Sequence, residues 1–280
     1  MEKIDLHIHS NYSDGSDSVD KLLENIKSSG ITTFALTDHD TISGCLEVME
    51  KLSGKIKFIP SVELTCLAGD IKCHILGYGC NPLNENLTSL IERGKVLRRD
   101  KLETRITYLR EKWEIELTHE ELDWLYSRRS VVKTHLANIL VQRGLSADNV
   151  SAMKKYLDGC KTGNTRFDGQ EAIDVILNAG GIPVWAHPLG GEGEEHLLPE
   201  MFFPELEKML SFGIKGLECF YSRYTKQEAG FLANCARDNG LYVSAGSDYH
   251  GSNKNGISLG QLSSDGSSPE ISEVTILKVL

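Results

Sequence analysis

The chain has 280 residues and a mass of 31.0 kDa, and 40% of its residues are hydrophobic and 25% charged, as is usual for a globular protein. This length accommodates one large α/β domain, or one domain that carries an insertion. The formal net charge of −10 argues against a protein that coats nucleic acid, since that binding needs many cationic contacts to phosphates. A locally basic pocket for a phosphorylated substrate remains compatible with this charge.

The seven cysteines include no C-x-x-C pair and are odd in number, which argues against a thiolate zinc site and against a disulfide framework. We therefore expect most of them to be buried core thiols. Charges at Glu2, Lys3 and Asp5 interrupt the start of the chain, and no apolar run approaches the length of a membrane span. These features predict a cytoplasmic protein with no membrane contact.

Predicted strands and helices alternate in the first 83 residues. The apolar residues of each segment recur with the spacing of a strand or of a helix, and Gly30 marks a helix end. The predicted elements are a strand over 3–8, a helix over 18–29, a strand over 32–36, a helix over 43–52, and strands over 56–62 and 73–78. Such alternation is typical of an α/β fold.

The alternation stops between residues 84 and 161, where the sequence predicts helices only. Apolar residues form one stripe at helical spacing, at Leu87, Leu90, Ile91, Leu97, Ile106, Leu109 and Trp113. Thr118 and Glu121 fit a capping box that opens a further helix. We expect residues 84–161 to form a helical insertion, or cap, of two to four helices. The barrel domain would then comprise residues 1–83 and 162–280.

Strands and helices alternate again beyond the insertion. The predicted elements are a helix from Asp168 to about Gly180, a strand over 182–186, a helix ending near Gly213, a strand over 214–219, a helix from the Thr225 capping box to Gly240, and a strand over 241–245. The tail over 263–269 is polar, and we expect residues 274–280 to add a final strand.

Histidine and carboxylate residues gather in short motifs along the chain. Six of the nine histidines belong to these motifs. The motif residues are His7, His9, Asp14, His39, Glu63, His74, His187, Asp248 and His250. Imidazole and carboxylate are the ligands that divalent metals accept without cysteine, and a set this large predicts more than one ion. Proteins that hold clustered metal ions are most often hydrolases.

Most of these residues lie at, or just past, the C-terminal end of a predicted strand. Side chains in that position converge on the top face of a β/α barrel, whereas a doubly wound sheet would gather them at one switch point. We therefore favour a barrel-like α/β fold with about seven strands. His7 and His9 share one face of their strand and can bind one ion together. Pro188 predicts an extended backbone at His187.

Each motif also has an ordinary structural interpretation. Asp38 and Asp40 flank His39, and we expect them to support the ligands or to accept hydrogen bonds from the loop. Glu63 alone would be interpreted as a surface glutamate, although a carboxylate can bridge two ions. His74 lies inside an apolar strand and alone would be interpreted as a core residue. Only the combination of motifs favours metal binding.

In this order the motifs resemble those of the PHP (polymerase and histidinol phosphatase) family of metal-dependent phosphoesterases. The matching motifs are His-x-His with Asp-Gly, Thr-Asp-His-Asp, Pro-x-x-Glu, His-Ile-Leu-Gly-Tyr, Ala-His-Pro and Gly-Ser-Asp-x-His. The resemblance implies a distorted (β/α)7, TIM-like barrel that holds two or three divalent metal ions, Mn, Fe or Zn. The ligand sets it implies are His7, His9, Glu63 and Asp248 for one ion, Glu63, His74 and His187 for a second ion with Glu63 bridging, and Asp14, His39 and His250 for a third.

The resemblance also implies hydrolysis of a phosphate ester by metal-activated water. Asp248, His187 and His250 are the implied catalytic residues, and the leaving oxygen would receive its proton from His187, His250 or a bound water. One alternative is a phosphatase of the histidinol-phosphate type that acts on a small metabolite. The other is a PHP module that keeps metal without catalysis.

The helical insertion is similar to that of the stand-alone PHP branch that removes phosphate from nucleoside 3′,5′-bisphosphates and trims short 5′-phosphorylated RNA. Relatives there read Gly-Arg-Pro-His where this chain reads Val-Lys-Thr-His over 132–135. Residues 93–112 carry eight Lys or Arg against three acidic residues. We expect Lys133, His135 and one of Arg128 or Arg129 to contact a substrate phosphate.

The expected partner is therefore a phosphorylated small molecule or a short oligonucleotide, without a stable complex with long nucleic acid. Three aromatic residues of the insertion, Trp113, Trp124 and Tyr126, either stack on a base or pack in the core. The sequence leaves the oligomeric state open.

Overall fold

The computed structural model of the protein describes residues 2–128, 130–191 and 196–280. The strands are β1 (Ile4–Ile8), β2 (Thr33–Leu36), β3 (Lys57–Ala68), β4 (Ile71–Tyr78), β5 (Phe167–Asp168), β6 (Ile182–Trp185), β7 (Gly216–Tyr221) and β8 (Tyr242–Gly246). The α-helices are α1 (Val19–Ser29), α2 (Ser43–Lys51), α3 (Glu85–Trp113), α4 (His119–Ser127), α5 (Lys133–Gln142), α6 (Asn149–Ala152), α7 (Gly169–Asn178), α8 (Pro199–Ser211) and α9 (Lys226–Asp238), and a π-helical turn (Met153–Leu157) continues α6.

Seven of the described strands follow one another around a single sheet, in the order β1, β2, β3, β4, β6, β7 and β8, and the short β5 pairs with β3 outside this path. The strands are parallel except β4, which is antiparallel to both of its neighbours. At the seam between β1 and β8, the His9 N–H donates to the Tyr249 carbonyl at 2.9 Å and the Asp248 N–H donates to the His7 carbonyl at 2.8 Å. The expected distorted barrel is confirmed, and β4 is the element that distorts it.

Local sequence signals place the barrel helices correctly. α1 begins after Ser18, whose hydroxyl accepts a hydrogen bond from the Lys21 N–H, and it ends at Gly30, whose φ of 72° suits glycine. α9 begins with the predicted capping box of Thr225 and Glu228. These caps provide hydrogen-bond partners for the backbone groups that a helix end leaves unsatisfied. They therefore define where each helix begins or ends between its neighbouring strands.

The predicted final strand at 274–280 is wrong. The tail forms 3₁₀ turns at Ile271–Glu273 and Thr275–Lys278 instead. Val274 and Ile276 are buried and join the apolar cluster that fills the barrel interior. Apolar residues two positions apart are typical of a strand. In this turn segment the same spacing lets both side chains pack in the barrel interior.

The segment from 85 to 157 forms only helices and their connections, as the sequence predicts. The first turns of the 29-residue α3 bury Leu87 and Leu90 in a core cluster shared with the barrel. Its later turns bury Leu102 and Leu109 in a separate cluster with α4 and α5. One helix thus joins two apolar clusters, which supports the division into a barrel and a cap, although that division stays a prediction.

All seven cysteines are free thiols, and six are buried while Cys160 is half-buried. The expectation of core thiols is therefore confirmed for six of them. Within the residues that the structure describes, no helix combines the length and the apolar character that crossing a membrane requires.

Candidate metal centre

The nine motif residues converge at one end of the barrel, although they are spread over most of the sequence. Their contacts form a continuous set, described below, of six imidazoles and three carboxylates. The expectation that Glu63 ends its strand is wrong, because β3 continues to Ala68 and Glu63 pairs with Leu76 of the antiparallel β4. That antiparallel pairing also carries His74 to the same end of the barrel, which a parallel β4 would not do.

The first group of ligand atoms lies at the seam between β1 and β8. His9 Nε2 is 3.1 Å from His7 Nε2, 3.1 Å from Glu63 Oε2 and 3.3 Å from Asp248 Oδ1. His7 Nε2 is 3.2 Å from the same Glu63 oxygen. These four atoms face one another, as ligands of a single ion do. They are the first predicted ligand set.

The second group uses the other oxygen of Glu63. Glu63 Oε1 lies 3.1 Å from His74 Nδ1 and 3.4 Å from His187 Nε2. The two imidazole nitrogens are 3.4 Å apart. Glu63 therefore presents one carboxylate oxygen to each group, which is the geometry that a bridging ligand requires.

The third group surrounds Asp14. Its Oδ1 is 3.1 Å from His250 Nε2 and its Oδ2 is 3.9 Å from His39 Nε2. His39 turns its other nitrogen, Nδ1, toward Glu63 Oε2 at 3.2 Å. The predicted third set is thus assembled more loosely than the other two, and His9 adjoins it.

Four atoms of this set are buried and make no hydrogen bond within the described part of the chain: Asp14 Oδ1, His39 Nδ1, Glu63 Oε1 and His250 Nε2. A buried polar atom without a partner costs about 1–3 kcal/mol, and four together are unusual in a native protein. Divalent cations would satisfy all four. Mixed nitrogen and oxygen donors suit Mn, Fe or Zn, so these residues fit the implied metals.

Protonation of the side chains follows from burial and from their mutual charges. Burial would raise the pKa of Glu63, but the surrounding imidazoles, His39 foremost, hold it well below its usual range. Burial lowers the pKa of His39 and of His250, which leaves these rings neutral. Burial also opposes the charge on His7, but Glu218 and Glu63 raise its pKa well above its usual value. Metal binds ionised carboxylates and neutral imidazoles, so an ion in this position would displace one proton from His7.

Glu218 supports the ligands and is a residue that the sequence interpretation missed. It is fully buried on β7, its Oε1 lies 2.9 Å from His7 Nδ1, and its Oε2 accepts a hydrogen bond from the His187 N–H at 2.9 Å. A proton on His7 Nδ1 leaves Nε2 for metal. An acidic residue between Leu217 and Cys219 in a predicted strand was the available signal.

The loops that carry the ligands are also tied down by hydrogen bonds. As predicted, Asp38 accepts hydrogen bonds from its surroundings, from the Ser10 N–H at 2.8 Å and the Ser13 hydroxyl at 2.6 Å. Asp40 accepts one from the Thr65 N–H at 2.8 Å and forms an ion pair with Arg98 of α3. The ion pair joins the helical segment to the metal-centre loop, and it escaped the sequence interpretation.

Three residues of these loops have a left-handed backbone: Asp40 with φ 50°, His187 with φ 31° and Asp248 with φ 59°. The prediction of an extended His187 before Pro188 is therefore wrong. The His187 N–H reaches Glu218 in this conformation, and that hydrogen bond helps to hold it. Such strain is typical of functional sites, because the surrounding contacts must impose it.

Asp248 is held by two further side chains that the sequence did not indicate. Its Oδ2 accepts a hydrogen bond from the Tyr221 hydroxyl at 2.9 Å and lies 2.5 Å from Lys254 Nζ. Its Oδ1 consequently faces His7 and His9. Burial works against the charge on Lys254, but Asp248 raises its pKa above the usual value.

A cleft of about 770 Å³ opens between the loops that follow Asp14 and His250 and the helices α4 and α5. Among the expected substrate-binding residues, Arg128 and His135 line it, and Lys133 is absent from the described lining. The described lining includes Asn11, Gly15, Ser16, Trp124, Arg128, His135, Asn138, Gln142, Asn149, Ser252, Asn253 and Asn255. Lys133 forms an ion pair with Asp158 instead. Arg129 lies outside the described residues.

The three candidate aromatic residues separate in the structure. Trp124 lines the cleft, and the Arg128 guanidinium lies over its ring at 5.0 Å. Trp113 packs against Tyr156 at 5.0 Å between ring centroids, and the Arg99 guanidinium covers the Tyr126 ring at 4.5 Å. Trp124 is thus the best placed of the three to meet a substrate.

A second cleft, of about 500 Å³, reaches the other end of the ligand set. His74 and His187 line it together with Lys72 and Arg166. Two of the nine ligand residues thus line the second cleft, whereas the described lining of the first contains none of them and includes only residues close to them in sequence, such as Gly15 and Ser252.

Comparison with known proteins agrees with this geometry. The PHP domain family model matches residues 5–168. A 5′-3′ exoribonuclease from Haemophilus influenzae is 31% identical over 254 residues, covering 89% of this chain and 90% of that protein. A 3′,5′-nucleoside bisphosphate phosphatase from Chromobacterium violaceum is 27% identical over 264 residues, covering 93% of this chain and 91% of that protein.

A solved structure supports the fold. A protein from Bifidobacterium adolescentis described as a metal-dependent phosphoesterase is 23% identical and superposes with a TM-score of 0.81, over 98% of this chain and 95% of that chain. The overall fold is thus shared with that protein. On the match of the family model over more than half its length, this chain belongs to the PHP family.

Proposed function

We propose that this protein is a metal-dependent phosphoesterase that hydrolyses a phosphate ester of a nucleotide, either a nucleoside 3′,5′-bisphosphate or the 5′ end of a short RNA. The observation that carries the proposal is the set of three ligand groups joined through Glu63, of which His74 and His187 line a cleft that also contains Lys72 and Arg166. Clustered metal ligands beside an open cleft suit hydrolysis of a phosphoryl substrate.

The metal ligands are the nine motif residues in their three groups. Divalent ions bound there, Mn, Fe or Zn, would supply Lewis acidity toward a phosphoryl group and its attacking water. Glu63 would hold two ions at a fixed separation because its two oxygens face different groups. A non-catalytic module would not need the open cleft that His74 and His187 line.

The protein side chains that would move a proton lie at the two ends of the ligand set. His187 borders the second cleft, and residues that follow His250 border the first. We propose His187, His250 or a bound water as the source of the proton for the leaving oxygen, with Asp248 among the metal ligands. An imidazole can take this role only in a state in which its ring carries a proton instead of binding metal.

The substrate assignment rests on the relatives and on the first cleft. The Haemophilus and Chromobacterium relatives are named for RNA and for a nucleoside bisphosphate. In this chain Arg128 and His135 border the cleft, and Trp124 offers part of an aromatic surface for a base. The net charge of −10 disfavours long nucleic acid and supports a short or single nucleotide. We propose the cytoplasm as the place of action, and Lys133 and Arg129 as further phosphate contacts.

The test is a substrate panel at matched metal concentration. It compares adenosine 3′,5′-bisphosphate, a 5′-phosphorylated RNA oligomer, AMP and histidinol phosphate by kcat/KM. We expect the bisphosphate or the RNA to give the highest value. A highest value for histidinol phosphate would replace the nucleotide substrate by a small metabolite, and no turnover of any phosphate ester would contradict the phosphoesterase proposal itself.

A further inference from the structure

Lys254 places an ammonium group inside the metal centre. Its Nζ lies 2.5 Å from Asp248 Oδ2, and its side chain is only 20% exposed. It borders a small cavity of about 40 Å³ together with ligands from all three groups, His39, Glu63 and His187 among them. The lysine ammonium therefore lies beside the space that the metal ligands enclose.

The loop after His250 is built to hold Lys254 in this place. The turn begins at Gly251, whose φ of 64° and close approach to the Ser16 hydroxyl exclude a side chain there. The Ser252 N–H donates to the Ser16 hydroxyl at 2.8 Å, and the Asn253 amide donates to the Asp14 carbonyl at 2.8 Å. Lys254 follows directly, so its side chain points back to the ligand set.

Support of Asp248 alone does not account for this lysine. The Tyr221 hydroxyl already donates to the same Asp248 oxygen at 2.9 Å and is neutral. A cation beside metal ligands repels the metal ions that those ligands bind. Its presence becomes favourable when an anion enters the cavity, since an ammonium has three donors and Asp248 uses only part of them.

We propose that Lys254 is a catalytic residue that binds an oxygen of the scissile phosphoryl group, while its ion pair with Asp248 holds it in position. This inference rests on the proposed phosphoesterase function and adds a specific contact to it. No covalent step is required of Lys254. Its positive charge offsets the charge of the phosphoryl oxygens in the ground state and in the transition state.

The experiment measures binding of inorganic phosphate to the metal-loaded protein by calorimetry, together with metal content and kcat/KM for adenosine 3′,5′-bisphosphate. Lys254→Met removes the charge but keeps the length of the side chain. Lys21→Met is the matched control, because it removes the charge of an exposed lysine that pairs only with Glu24 among the described ion pairs. Lys254→Arg restores the charge.

We expect Lys254→Met to keep its metal and to bind phosphate at least about tenfold more weakly, with a similar or larger loss in kcat/KM, which is the size of one charge-assisted contact. Lys21→Met should leave phosphate affinity unchanged, and Lys254→Arg should recover most of the affinity that Lys254→Met loses. The inference is overturned if Lys254→Met binds phosphate as the wild type and Lys21→Met do, or if it loses its metal.

The two proposals fail in different ways. If the wild-type protein hydrolyses the nucleotide and Lys254→Met has the same phosphate affinity and kcat/KM, only the proposed role of Lys254 is contradicted. Wild-type protein that hydrolyses no phosphate ester contradicts the proposed function, and the phosphate titration still decides whether Lys254 binds the anion.

Discussion

Glu63 is the residue on which the candidate metal centre depends most. It is fully buried, and its two oxygens approach imidazoles of all three groups at 3.1–3.4 Å. Backbone contacts hold it in turn, because the Asp40 N–H donates to the Glu63 carbonyl at 2.9 Å. Loss of this side chain should therefore affect more than one ion, whereas loss of a terminal ligand such as His250 should affect one.

Glu218 offers a residue-scale prediction about support of the ligands. In Glu218→Gln the amide can accept only one of the two hydrogen bonds that the carboxylate makes to His7 and to the His187 N–H. We expect metal affinity to fall by roughly 10–100-fold, as for other residues that orient metal-bound histidines. Metal titration of the variant against Glu207→Gln, an exposed change on α8, checks this. Equal affinities in both variants would leave Glu218 with a packing role.

At the scale of elements, the sequence predicted most of the scaffold and the nine residues that converge at one end of the barrel. Strand and helix periodicity and helix caps are local signals, so the barrel elements appeared at nearly their observed bounds. The predictions for the tail at 274–280 and for the backbone of His187 were wrong, because neither is set by local sequence. Burial in the barrel determines the conformation of the tail, and a hydrogen bond to Glu218 helps to hold that of His187. Lys254 was missed for the same reason. Its contact with Asp248 spans six residues through a turn that no periodicity reveals.

The helices of the cap carry a prediction about substrate binding. Arg128→Ala removes a cation that borders the first cleft, so KM for adenosine 3′,5′-bisphosphate should rise about tenfold with little change in kcat. Lys133→Ala should raise KM less, because Asp158 already pairs with Lys133. Steady-state kinetics of both variants test this, with the exposed Lys21→Ala as control. Unchanged KM in both would give the cap a structural role only.

His135 on α5 gives the cap a dependence on pH. Burial lowers its pKa from 6.5 to about 4. Between these two pH values the imidazole is therefore protonated in the unfolded chain and neutral in the folded chain. Stability should therefore fall as pH drops from about 6.5 to 4, by on the order of 3 kcal/mol for this group. His135→Gln should lose less stability than wild type between pH 7 and pH 5 in urea unfolding. The exposed His119→Gln should follow wild type, and a parallel decline in all three proteins would contradict the prediction.

At the scale of the whole molecule, the metal centre lies across the seam that closes the barrel. His7 and His9 belong to β1 and its end, and Asp248 follows β8, while only a few backbone hydrogen bonds join these strands directly. Bound ions would therefore link the first strand to the last. We therefore expect metal binding and folding stability to be coupled.

Removal of metal should accordingly weaken the fold. Because ions that bind only the folded state stabilise it, we expect chelation to lower the melting temperature of wild-type protein by roughly 5 °C or more. Glu63→Ala should respond less to the chelator, since it begins with fewer ions. Differential scanning calorimetry with and without chelator measures both, and equal shifts would place the stabilising ions elsewhere.

Metal stoichiometry tests the central claim most directly. Elemental analysis of protein dialysed against Mn, Fe or Zn should find two or three ions per wild-type chain and at least one fewer in Glu63→Ala, His9→Ala and Asp248→Ala. Hydrolysis of adenosine 3′,5′-bisphosphate should fall by orders of magnitude in the same samples. Wild-type chains without metal, or Glu63→Ala with full occupancy and undiminished hydrolysis, would contradict the account.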